Sequence, residues 1–170
     1  MRKHIGRVIK LGDHIDTDII IPTQYMTLET IEEMAQYAFS PLRPEIPSLV
    51  QQGDILVCGK DFGCGSSREQ APEIIKVLGV YCIVAKSFAR IFYRNAINNG
   101  LLVIESAEIY DHIQEGEQLT VDAGANQLIT ASGKAVPFGK IPDMLLEMIQ
   151  SGGLVNYYKA QNQSQGTGNR

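Results

Sequence analysis

The side chains best suited to chemistry gather in one stretch, Asp61-Phe62-Gly63-Cys64-Gly65-Ser66-Ser67-Arg68-Glu69. Gly63 and Gly65 let the backbone come close to a ligand and adopt conformations that other residues resist. Two hydroxyls follow, and Arg68 adds a planar fork able to grip a carboxylate through paired hydrogen bonds. A helix starting just beyond would add free N–H groups and a partial positive charge, making an anion site. The same letters allow a plainer reading. Ser66-x-x-Glu69 and Ser67-x-x-Gln70 both have capping-box spacing, so the serines would only start that helix. Spacing alone leaves the two readings balanced. Phosphate cradles fit poorly: Arg68 stands where a dinucleotide fingerprint needs its third glycine, and GSSRE ends the loop where a P-loop needs GK and a hydroxyl residue.

Other reactive groups are more scattered. Asp13, His14, Asp16 and Asp18 have metal-ligand chemistry, but Asx residues are equally what a turn before a strand requires. Cys58 and Cys82 lie in apolar runs and read as core. Cys64, inside the glycine loop, is either a reactive thiol or a small space-filler. Three cysteines without close pairs argue against a disulfide scaffold and against a zinc or iron–sulfur site made by this chain alone. His4 and His112 read as isolated surface groups. Lys86, Arg90 and Arg94, four residues apart, form a solvated helix face or part of a contact with another subunit.

The elements that must position these groups follow from hydrophobic periodicity. Asp54 to Cys58 reads as a strand, the glycine loop as its exit, and a helix then runs to about Leu78 with Gly79 as its stop. Tyr81 to Ala85 is a second buried strand. Ser87 caps a helix through Asn98, Gly100 ends it, and Leu101 to Ile104 is a third strand. Such alternation implies parallel crossover units in an α/β fold. Upstream, Ile5 to Leu11 suggests a strand, Ile19 to Ile21 a short buried run, and Thr30 to Phe39 a helix with Thr30 and Glu33 as a capping box. The segment 40–54, rich in proline, reads as a connecting loop. Downstream, 118–121, 127–131 and 135–138 suggest a small antiparallel set, and Pro142 leads an amphipathic helix through Gln150. Residues 1–160 then make one domain, and 161–170 a polar tail expected to be disordered.

Length and composition fit that organisation: 170 residues, 44% hydrophobic and 20% charged, suffice for one packed domain. A formal net charge of −4 argues against nucleic acid, which requires clustered Lys and Arg. No run approaches the length of a membrane span and no signal-type apolar region follows the first residues, so the expected location is cytoplasmic.

The blocks DFGCGSSREQA and VAKSFARIFYRNAINNGLL, with DHIDTDIIIPTQYM upstream, resemble the swivelling domain of the aconitase superfamily. The resemblance extends over roughly residues 5 to 155 and is strongest to isopropylmalate isomerase small subunits. It implies a β/β/α swivelling fold and a hydro-lyase that moves a hydroxyl between adjacent carbons of a small dicarboxylate, as in leucine biosynthesis. It implies a large catalytic subunit carrying a [4Fe-4S] cluster, with no metal or cofactor bound by this chain. It assigns Ser66 as the base, with Asp18 as an acidic active-site residue. Gly65, Ser67 and Arg68 would hold the substrate carboxylate. Tyr25, Met26 and Thr27 would read the substrate's variable group. Relatives acting on tricarboxylates carry an arginine in that last loop, and this chain has none, which favours a branched alkyl group. Alternatives are a dimethylmalate, citraconate or homoaconitate dehydratase subunit, or a stand-alone anion-binding regulatory module. Self-association of the isolated subunit is a further expectation.

Overall fold

The computed structural model describes residues 3–166. Seven strands form one sheet: β1 (His4–Lys10), β2 (Ile55–Cys58), β3 (Cys82–Ala85), β4 (Leu102–Glu105), β5 (Gln118–Asp122), β6 (Gln127–Thr130) and β7 (Ala135–Pro137). Their spatial order is β4-β3-β2-β1-β5-β6-β7. The first four run parallel, and β5 to β7 continue the sheet antiparallel from β1.

Both faces of the parallel half are covered, which is why β2 and β3 read as unbroken apolar runs rather than alternating ones. Leu56, Cys58, Ile83 and Ala85 point into one core, shared with helices α2 (Ile31–Ala35), α4 (Gln70–Val77) and α5 (Arg90–Asn98). Ile55, Val57, Cys82 and Val84 point into a second core, closed by Leu119, Val121, Leu128 and Val136 of the antiparallel strands. The antiparallel half thus folds back over the parallel half, giving the β/β/α layering that the resemblance implied. Helices α6 (Asp143–Gln150) and α7 (Leu154–Gly166) complete the described residues.

Several sequence expectations change in detail. Ile19 to Ile21 is not one extended run: Thr17–Ile20 forms a short helix, α1, capped by Asp16, whose carboxylate accepts the Ile19 N–H. The Thr30–Glu33 capping box forms, but α2 stops at Ala35, and Phe39 turns the chain at φ 58° to bury its ring. The proline-rich loop contains a helical turn, α3 (Ile46–Leu49). His4 is not isolated: it stacks on Tyr81 at 3.6 Å and bonds the Gly53 carbonyl. Segment 161–170 continues α7 to Gly166, aided by a hydrogen bond that the Gln161 side-chain amide donates to the Tyr157 hydroxyl, and its last four residues lie outside the described ones.

Candidate functional site

The segments leaving the C-terminal ends of β1, β2 and β3 meet beyond the carboxyl ends of these parallel strands, where open parallel sheets bind ligands. Backbone bonds lace them together. His14 N–H reaches the Lys60 carbonyl at 2.7 Å, Gly63 N–H reaches Ile15, and Thr17 N–H reaches Cys64. On the other side Phe62 N–H bonds the Ser87 carbonyl, and Ala89 N–H bonds the Phe62 carbonyl. Gly63 is required for this closeness: at φ 81°, an added Cβ would lie 2.2 Å from the Phe92 ring. The lacing sets the DTD segment and the glycine loop side by side.

Beyond Gly65 the loop is open. None of the backbone N–H groups of Gly65 through Gln70 has an acceptor among the described residues, and Ser66 and Ser67 are exposed with unpartnered hydroxyls. Neither capping box forms. Helix α4 begins only at Gln70, its N-cap is Glu69, and no side chain caps it. The serines therefore do not serve as caps, and the free donors at this point belong to the loop more than to a helix end.

Arg68 is more buried than its neighbours. Its guanidinium donates to the Ile21 carbonyl at 2.5 Å and to the Thr23 hydroxyl at 2.9 Å, and pairs with Asp18. It thereby ties three pieces of chain together: the glycine loop, α1, and the 3₁₀ turn Thr23–Tyr25. A cleft of about 200 Å³ opens here, with Ser66, Ser67 and Arg68 on one wall and Arg90, Ile91 and Asn95 of α5 on the other.

Of the sequence candidates, Asp18, Gly65, Ser66, Ser67 and Arg68 come together. Tyr25, Met26 and Thr27 do not line this cleft. Tyr25 stacks on Tyr37 at 4.0 Å, Met26 packs on the core, and Thr27 is exposed, so they reach the site only through Thr23. Asp13 and Asp16 are occupied as backbone acceptors, the first from Lys60 N–H and the second from Ile19 N–H, while His14 pairs with Asp61. Burial, then the carboxylate of Asp16, pushes the Cys64 thiol up, which disfavours its thiolate. Cys58 and Cys82 are fully buried, and that burial raises both thiols.

The family model described as "Aconitase C-terminal domain" matches residues 27–109. The small subunit of 3-isopropylmalate dehydratase from Lachnospira eligens is 56% identical over 94% of this chain and 96% of its own length. The isopropylmalate/citramalate isomerase small subunit of Methanocaldococcus jannaschii is 44% identical over 91% of this chain and 92% of its own. A solved structure titled as 3-isopropylmalate dehydratase from the same archaeon superposes with a TM-score of 0.91, at 38% identity, covering 98% of this chain and 99% of that one. The chain belongs to the 3-isopropylmalate dehydratase small-subunit family, within the aconitase superfamily.

Against that family background, two groups in the cleft escaped the sequence reading. Thr17 is 2% exposed, lines the cleft, and its hydroxyl has no partner among the described residues. A threonine inside an apolar-flanked DTD segment gave no signal apart from Asp18. By its spacing Arg90 is only one of three helix-face cations. In the structure Lys86 lies before α5 and pairs with Asp111, and Ser87 bonds Asp61 instead of capping the helix, whose N-cap is Ala89. That leaves Arg90 at the first position of α5, facing the serines.

Proposed function

We propose that this chain is the small subunit of a hydro-lyase that interconverts 2- and 3-isopropylmalate by dehydration and rehydration. In this reading Ser66 takes the proton from the carbon beside a carboxylate. Loss of that proton, with the hydroxyl on the neighbouring carbon, leaves an alkene diacid and water; addition in the other sense gives the isomer. Ser67, Arg68 and the backbone of Gly65 hold the carboxylate, and Asp18 keeps the Arg68 fork in place or passes protons at the mouth of the site.

The observation that carries the reading is the row of unpartnered N–H groups from Gly65 to Gln70 beside two free serine hydroxyls. A serine hydroxyl is a poor base, so its alkoxide needs strong, preorganised stabilisation. With α4 starting four residues past Ser66, the loop amides and the Arg68 charge supply it better than a helix dipole does. The same donors stabilise the charge that builds on the substrate carboxylate as the proton leaves.

The donor set of this chain does not fit a [4Fe-4S] cluster. Two of its three thiols are sealed inside the sheet, and no described group of three His, Cys, Asp or Glu is arranged to hold a metal. The cluster that the superfamily implies is therefore assigned to a large partner subunit, which would close the exposed side of the loop. Tyr25, Met26 and Thr27, at the end of the 3₁₀ turn that starts at Thr23 and just past it, are assigned to the substrate's variable end, where the absence of an arginine suits an alkyl group over a third carboxylate. No described helix is long and apolar enough to cross a membrane, and we assign the complex to the cytoplasm.

The test is anaerobic reconstitution with the large subunit and assay of isopropylmalate beside citraconate, dimethylmalate and homoaconitate. Ser66→Ala should lower kcat at least about a hundredfold, the scale of a lost general base, while the two subunits still assemble. Near-normal kcat in that variant would remove Ser66 from its role. Faster turnover of another diacid than of isopropylmalate would reassign the substrate.

A further inference from the structure

A second cleft, of about 640 Å³, lies along β4, the edge strand of the sheet, and the chain that follows β7. Its floor is apolar, made by Val103, Ile104 and Ile141, all at most 8% exposed. Its rim is cationic. Arg90, Arg94 and Lys140 stand around it, and none of the three has an ion-pair or hydrogen-bond partner among the described residues. Glu105 is the one carboxylate on the rim, so the local balance is positive by two charges in a chain whose formal net charge is −4.

Elsewhere most of the described cations, exposed or not, pair with carboxylates, among them Lys3 with Asp122, Arg43 with Glu45 and Glu115, and Lys134 with Glu108, while Lys60 and Lys159 stand singly. Three free cations over an apolar floor have the make-up of an interface, with an apolar centre and a polar rim. Arg90 lines both this cleft and the serine cleft, and Ile91, next to it, is 54% exposed on the serine side. A chain covering the serines would run directly onto the larger cleft.

We propose that this cleft docks an acidic segment of the large subunit, its carboxylates meeting Arg90, Arg94 and Lys140 and an apolar side chain seated on Val103, Ile104 and Ile141. The inference rests on the hydro-lyase reading for its choice of partner. The docking orients the two subunits so that the open side of the serine loop faces the partner. Rim charges of this kind act mainly on the association rate and on salt sensitivity.

The experiment measures the affinity of the full chain for the cluster-loaded large subunit, anaerobically, at low and moderate salt. The double variant R94E/K140E leaves the serine cleft untouched. It should weaken assembly about tenfold or more at low salt and flatten the salt dependence, with kcat at saturating partner unchanged. Lys159→Glu, an exposed charge on α7, should leave affinity as it is. Unchanged affinity in the double variant overturns the inference. So does a change confined to self-association of the isolated chain, which would give the cleft to a second copy. The two proposals fail separately. An active isopropylmalate complex indifferent to R94E/K140E refutes the docking alone. A complex that depends on those charges but does not turn over isopropylmalate refutes the hydro-lyase reading alone.

Discussion

Replacing Arg68 with alanine separates its structural role from any role in binding. The guanidinium side chain is only 13% exposed, so its hydrogen bonds are partly shielded from water. The bond to the Ile21 carbonyl is the strongest of its contacts, because Ile21 is fully buried and its carbonyl would lose a charged donor. Such a bond is worth about 1.5–3 kcal/mol. The Asp18 carboxylate is 61% exposed, so that ion pair is discounted to about 1 kcal/mol or less. Thr23 is exposed as well, and its hydroxyl adds little. Together Arg68→Ala should destabilise the isolated chain by about 2–4 kcal/mol, and Tm should fall by roughly 4–16 °C for a chain of this size. Asp18→Asn should cost under about 1 kcal/mol, so the two variants separate clearly. Thermal and urea unfolding of the isolated small subunit, with the double variant to complete a cycle, give the numbers. An unchanged Tm in Arg68→Ala would refute the reasoning, since it would mean that the clasp between the glycine loop and the turn at Thr23 carries no stability.

Two further outcomes follow from titrating groups. The Arg43 hydrogen bond holds the Glu115 carboxyl below its ordinary 4.5, so its folded value lies under its unfolded one. Its contribution is present above about pH 4.5 and is lost as pH falls through the lowered folded value; the stability gap between the native chain and Glu115→Gln should therefore close on acidification, and a gap that widens there would reverse the assignment. With Cys58 and Cys82 sealed in the sheet and the Cys64 thiol pushed up by burial and Asp16, a thiol-alkylating reagent should modify at most one cysteine per native chain, more slowly than a free thiol. Rapid modification of two thiols would show that the sheet opens readily.

The layered fold was legible because its signals are local. Unbroken apolar runs at Ile55–Cys58, Cys82–Ala85 and Leu101–Ile104, separated by helical spacing and stopped by Gly79 and Gly100, imply parallel crossovers whatever lies elsewhere. The Thr30–Glu33 box was legible for the same reason. Helix ends were less so: Ser66, Ser67 and Ser87 all have capping chemistry, yet none caps a helix, the first two keeping free hydroxyls in the loop and Ser87 bonding Asp61.

The sequence by itself determined the chemistry available. It put two hydroxyls, two glycines and an arginine in one loop, and an acidic DTD segment far upstream. Tertiary structure decided which of those groups act together. Hydrogen bonds such as those from Gly63 to Ile15, from Thr17 to Cys64 and from Arg68 to Ile21 bring Asp18 to Arg68 across some fifty residues, and no spacing rule encodes contacts between separate strands. Folding also decided what stays free. The amides from Gly65 to Gln70 are unpaired because α4 starts late, and Arg90, Arg94 and Lys140 because packing sets no carboxylate, not even Glu105 across the same cleft, in ion-pair contact with them. Pairing of a polar group depends on what the whole chain places beside it.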